Sequence, residues 1–316
     1  MRLVRLAVVL LLTAACAHKP LPAANTLEVV EANPAKGFHY SYILKMPTAA
    51  RLDGTTYLLV EPNNTGRVSD DLNVHAEAAK KLAGSAVGAY VARKLDLPLL
   101  VPIFPRPETG WERYTHALDR DTMLIAEGPM RRLDLQLLAM IDDARRRLRG
   151  YGVTTHEKVL LTGFSASGTF SNRFTLLHPE KVQAVAAGGL NAMLIVPSAT
   201  LDSVALPYPL GISDLQETAR TRFDAAKWKA VPQFLYMGAK DDNDAVLFDD
   251  GYSESERAVV FQVLGEKMQP DRWTHMQELY RNAGASATFR TYEHMGHGTD
   301  QKINDEVVEF FRKAME

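Results

Sequence analysis

Between Lys158 and Gly168 the chain reads KVLLTGFSASG, and Ser165 is the residue in that run best placed to do chemistry. A serine hydroxyl is a weak nucleophile until it is held clear of the backbone and beside a base. Val159 to Leu161 is apolar and β-leaning, residues 163–168 form a Gly/Ser turn, and Thr169 to His178 reads as a helix. That spacing predicts a strand-turn-helix elbow that presents Ser165 at its tip. The glycines suit a strained turn in which a neighbouring Cβ would clash. In this G-x-S-x-S-G pattern Ser167 takes the place of a second glycine and is small enough to keep helix close to strand. Taken alone, the hexapeptide is equally a solvated turn with no chemistry, so its setting decides.

Two further strand ends supply that setting. Pro232 to Asp241 reads PQFLYMGAKD, an apolar strand ending in an acid, and Ala287 to Gly298 reads ATFRTYEHMGHG, a strand ending in histidines. Serine, then aspartate, then histidine, each at the carboxyl end of a strand, is the order of the α/β-hydrolase triad. From about Gly37 to the C-terminus the chain thus resembles the α/β-hydrolase superfamily, and within it the serine esterases and polyester-depolymerase-like hydrolases. The resemblance implies a mainly parallel central sheet with helices on both faces, no cofactor, and cleavage of small-molecule or polymeric carboxylic esters through an acyl-serine. Serine peptidases share the triad, and a non-catalytic protein keeping this fold as a binding surface is the alternative from another class. The motifs name no ester.

Each role can then be assigned. Ser165 is the nucleophile; Ser167 and Ser171 lie further into the helix. A neutral imidazole near pH 7 can take the serine's proton, and His297, between Gly296 and Gly298, matches the family position better than His294, which reads as a packing or hydrogen-bonding residue. For the acid, the G-x-x-D spacing from Gly238 selects Asp241, whereas counting back from Val246 selects Asp244; we take Asp241, with Asp244 as the alternative and a solvated loop carboxylate otherwise. The acid fixes the imidazole tautomer and stabilises imidazolium. The oxyanion donors would be the backbone N–H of Ala166 and that of Asn63 or Asn64, in the loop after Leu58–Val60. No His-Gly-Gly run marks that loop, which leaves the choice of donor open. The acids at 241–244 lack the glycine and distal glutamate of a calcium loop, so no metal is expected. Arg106, Trp111, His116 and Arg120 follow another strand end and are candidates for substrate contact or for structural pairing.

The chain has 316 residues, 46% hydrophobic and 23% charged, which suits one large domain. A net charge of −2 gives no footing for nucleic acid, and Arg145 to Arg147, balanced by Asp142 and Asp143, reads as the solvated face of a helix. Residues 1–15 look like a signal peptide, with a basic start, an apolar run from Leu6 to Leu12, and small residues before Cys16. Cys16 is the sole cysteine, so no internal disulfide can form. Its position resembles a bacterial lipobox, although Thr13 stands where leucine is usual. That resemblance implies export, lipidation of Cys16 with simple cleavage after Ala15 as the alternative and, because Ala17 follows, an anchor in the outer membrane, with residues 16–36 as a tether ahead of a monomeric domain at 37–316.

Along that domain, strands are expected at Phe38–Met46, Thr55–Val60, Leu97–Phe104 and Val182–Gly188. One helix should run from an N-cap at Ser69, with Asp70 and Asp71 in its first turn, to about Leu95, and another from Leu133 to Arg149. Residues 191–228, broken by Pro197, Pro207 and Pro209, read as a cap or a surface excursion, with Leu206, Tyr208 and Leu210 as possible pocket residues.

Overall fold

Runs that are apolar at every position can be buried on both faces and so belong at the centre of a parallel sheet. The computed structural model, which describes residues 22–47 and 54–316, arranges them that way. Its main sheet contains β1 (Leu27–Val30), β2 (Tyr42–Lys45), β3 (Leu59–Val60), β4 (Leu99–Pro102), β5 (Val159–Phe164), β6 (Val182–Gly188), β7 (Gln233–Gly238) and β8 (Ala287–Tyr292). The spatial order is β1-β2-β4-β3-β5-β6-β7-β8. β2 runs antiparallel to β1 and β4, and the remaining pairs are parallel. Central β5 is buried for five of its six residues, whereas β8, which alternates as ATFRTY, is half-buried and closes one edge.

Alternate residues of the strands feed two cores. Val60, Leu161, Val185 and Leu235 face one side, where α3 (Leu133–Gly150), α4 (Ala166–Leu177), α5 (Glu254–Leu264) and α6 (Trp273–Asn282) pack. Leu59, Leu160, Ala184 and Phe234 face the other, under α1 (Leu72–Ser85), α2 (Val87–Leu95) and α7 (Gln301–Ala314). The last helix buries Ile303, Val307, Val308 and Phe311 as a single stripe, and Asp300 caps it by accepting the Ile303 N–H at 2.8 Å.

Several local expectations shift. The signal segment and Cys16 lie outside the described residues. The stretch read as tether does not stay free to residue 36, because Leu27–Val30 pairs with β2 as an edge strand. Charge holds it there: Glu28 meets Arg147 at 3.0 Å, and Lys36 meets Asp143 at 2.6 Å. Asp143 is therefore not part of a solvated helix face. It is 1% exposed and also takes Arg147 and the Tyr42 hydroxyl. The expected strand at 55–60 divides. Thr55–Thr56 pairs with Thr154–Thr155 in a separate small ladder, and Leu59–Val60 alone enters the main sheet. The first helix starts at Asp71, which caps Asn73, because Asp70 instead binds the backbone of Glu108 and Thr109. That helix breaks at Ala86, which is extended, into α1 and α2.

Candidate active site

The elbow is built by close contact between backbones. Ser165 has φ +62° and ψ −131°, a strained conformation for a residue with a Cβ, and it directly precedes α4. A Cβ at Gly163 would stand 2.3 Å from the Ser167 carbonyl oxygen, and one at Gly168 would stand 2.6 Å from that of Gly188. These two positions bring the helix against β5 and β6 and leave no room for any other residue. Ser167 serves the turn itself. Its hydroxyl accepts the Phe164 N–H and contacts the Phe164 carbonyl, both at 2.9 Å, clamping the two ends together. Ser171 is likewise buried and hydrogen-bonded to Thr162 and Ser167 carbonyls. Ser165 alone of the three lines the adjoining cavity.

His297 lines the same cavity, and its Nδ1 lies 2.9 Å from Asp241 Oδ2 and 3.0 Å from Oδ1. With Nδ1–H donated to that carboxylate, Nε2 carries the lone pair and is the ring's basic atom. The Asn243 amide sits between Nε2 (3.4 Å) and Asn191 Oδ1 (3.1 Å), while its backbone N–H donates to Asp241. The approach of the histidine loop depends on Gly238 more than on the glycines beside His297. A Cβ at Gly238 would lie 2.3 Å from the Met295 carbonyl oxygen, whereas Gly296 and Gly298 have no such conflict. His294 is exposed and does not pack, contrary to its sequence reading.

The two acids have separate partners. Asp244 forms a buried ion pair with Arg272 and accepts the Val246 N–H at 3.1 Å. It is not a solvated loop carboxylate. The expectation failed because its counter-ion lies 28 residues further on, out of reach of local spacing.

Asn64 lines the cavity together with Ala166, whose N–H stands in the first helical turn where no intrahelical acceptor exists. Asn63 is 1% exposed, does not line the cavity, and brackets Phe104 through its side chain at 2.9 and 3.2 Å. Beneath this loop His116 binds the Phe104 carbonyl and the Thr65 N–H, and Thr65 in turn meets His75 at 2.7 Å. Burial pushes His116 down to about 3, so it stays neutral and structural. Of the other proposed contacts, Arg106 and Trp111 line the cavity, whereas Arg120 is held by Asp214 and the Tyr208 carbonyl. Leu206, Tyr208 and Leu210 turn inward into the core, and none of them lines the cavity.

The cavity measures about 780 Å³, within the range of small-molecule sites. Trp111, Leu247 and Phe248 expose apolar surface along its rim. The segment from Asn243 to Tyr252 forms much of its wall, which sequence reasoning missed because no motif marks it. Arg173 was missed too, although serine, threonine and arginine at 165, 169 and 173 repeat at helical spacing.

No protein-family model matches this sequence, and no curated protein does. Solved structures do. Poly(aspartic acid) hydrolase-1 from Sphingomonas sp. KT-1 superposes over 94% of this chain and 100% of its own, with a TM-score of 0.58 at 16% identity. The poly(3-hydroxybutyrate) depolymerase LpqC from Bordetella parapertussis covers 92% of this chain and 91% of its own, with a TM-score of 0.56 at 17% identity. The chain has the α/β-hydrolase fold. An S-formylglutathione hydrolase from Agrobacterium tumefaciens shares that α/β-hydrolase fold over 91% of this chain and 93% of its own, at a TM-score of 0.50 and 13% identity. At these identities the likeness concerns the fold.

Proposed function

We propose that this protein is a serine hydrolase of carboxylic esters, with Ser165 as nucleophile, His297 as base and Asp241 as the acid that orients it. The observation that carries the reading is the convergence, on one cavity, of a strained elbow serine and an imidazole whose Nδ1 is 2.9 Å from a buried carboxylate. His297 Nε2 would take the Ser165 proton as Oγ attacks the ester carbonyl, and the resulting imidazolium would be stabilised by Asp241. The tetrahedral oxyanion would accept the N–H groups of Ala166 and Asn64. Collapse expels the alcohol, protonated by His297, and leaves an acyl-serine that water hydrolyses by the reverse sequence of proton transfers. Export and a lipid anchor at Cys16 complete the proposal, placing this chemistry at the outer membrane.

Purified protein should hydrolyse short p-nitrophenyl esters and take up one equivalent of a fluorophosphonate on Ser165. Retention of full turnover in Ser165→Ala would falsify the assignment. Absence of labelling in a folded protein would favour a binding role for the cavity.

A further inference from the structure

Besides Tyr114 and Tyr252, five ionisable side chains line the cavity: Arg106, Arg173, Asp249, Asp250 and His297. Arg106 is paired with Asp250 at 2.5 Å, and Asp249 with Arg257 at 2.7 Å. Arg173 is 2% exposed and, among the described residues, forms no ion pair. It donates to the Ala117 carbonyl and to the Tyr252 hydroxyl, each at 2.9 Å. Two neutral acceptors do not balance a buried guanidinium. The carboxyl that acts on it electrostatically, Asp119, is itself raised to about 7 by burial, against the N–H groups of Thr122 and Tyr114 and the pull of Arg173. Among the described residues no carboxylate contacts the Arg173 guanidinium directly.

Residues lining the cavity also carry buried, unsatisfied atoms. Arg173 Nε, Thr169 Oγ1 and Arg106 Nε are buried without hydrogen-bond partners, and all three residues line the cavity. Each is a donor. Thr169 and Arg173 stand one and two helical turns beyond Ser165 on the same face of α4, and long helical side chains lean back toward the N-terminus, here toward Ser165. The eight-residue rise of about 12 Å sets the upper limit of their axial separation.

Resting on the hydrolase reading, we infer that Arg173 and Thr169, with Arg106 beside them, form an anion subsite that recognises a carboxylate carried a few bonds from the scissile ester. The substrate class is thus an acidic ester, its charge on either the acyl or the leaving-group side. A carboxylate would accept the orphaned donors and supply the counter-charge that Arg173 lacks.

The test is a selectivity ratio, which cancels losses common to both substrates. In the full-length chain, kcat/KM for mono-p-nitrophenyl glutarate should exceed that for p-nitrophenyl valerate by about 10- to 100-fold, as expected for charge-assisted hydrogen bonds. The same ratio for 4-acetoxybutyrate over 4-acetoxybutyramide reads the leaving-group side. Arg173→Gln should bring the favoured ratio to about one or below, and Arg173→Lys should retain part of it. Ser165-dependent hydrolysis with no charge preference on either side would overturn the subsite while leaving the hydrolase intact. If Arg173→Gln does not fold, inhibition of valerate hydrolysis by glutarate and not by glutaramide supports the inference, and equal or absent inhibition defeats it. If no ester is turned over, the hydrolase reading fails, and calorimetric titration of glutarate then decides the subsite: binding supports it and no binding overturns it.

Discussion

The elbow at 163–168 and the loop at 239–252 supply the two halves of the candidate site, and they are held in opposite ways. The elbow is fixed by backbone against backbone: two glycines with no room for a Cβ, a serine at positive φ, and a hydroxyl clamp from Ser167. The loop is fixed by side chains reaching elsewhere in the chain. Asp241 goes to His297, Asp244 to Arg272, Asp249 to Arg257 and Asp250 to Arg106. Steric geometry of the first kind is written in a short local motif. Pairing of the second kind depends on which cation the fold delivers, and four aspartates with similar neighbours acquire four different partners.

Removing the elbow's hydroxyl should have the largest effect. Ser165→Ala is expected to lower kcat by about 10⁵- to 10⁶-fold, as for a nucleophile acting within a triad. On the loop, Asp241→Asn should follow at up to about 10⁴-fold, because the amide favours the wrong imidazole tautomer. That variant should melt near the parent, since Asn243 and its neighbours remain. Equal kcat for Asp241→Asn and the parent would place the orienting acid elsewhere and dissolve the contrast.

The same contrast explains what could be read from the sequence. Central strands β5 and β6 were legible because continuous apolar runs bounded by turns leave little choice, and Ser165 was legible because a six-residue pattern encodes its backbone. β1 was not, because LEVV lies in a Pro/Ala-rich stretch and is held by Lys36 and Glu28 reaching α3. Asp241 could be chosen over Asp244 by counting from Gly238, yet the burial of Asp244 could not, because Arg272 comes from a distant turn. Arg173 escaped because an arginine on a helix reads as solvent-facing until the fold covers it.

Asp244 is where side-chain pairing can be tested apart from chemistry. Asp244→Asn leaves Arg272, fully buried, without its carboxylate. Breaking a buried ion pair from one side destabilises by about 3–5 kcal/mol, so the variant should show a clearly lowered denaturation midpoint. Asp244 does not touch the imidazole, and kcat of the folded fraction should change far less than in Asp241→Asn. Denaturant unfolding and active-site titration of one preparation separate the two effects. A crippled kcat at unchanged midpoint would move Asp244 into the catalytic role.

The last effect is on stability alone and concerns the loop that carries the expected oxyanion donor. Glu61 follows β3, is 1% exposed, and accepts the Gly88 N–H at 3.1 Å. Burial raises its carboxyl to about 8, the Gly88 bond pulling weakly the other way. The folded state thus holds a proton that the unfolded chain, with a glutamate pKa near about 4.3, releases. Stability from this group is fully present below about pH 4.3 and is lost as pH rises toward about 8, by up to about 1.4 kcal/mol per pH unit. Asp119, raised to about 7, acts in the same direction over a narrower window. Glu61→Gln mimics the protonated acid, so its stability should fall less than the parent's between about pH 5 and about pH 8.5, with the Asp119 slope remaining. Denaturant melts at those two pH values measure the difference, and parallel pH profiles for Glu61→Gln and the parent would mean that Glu61 does not hold its proton in the folded loop.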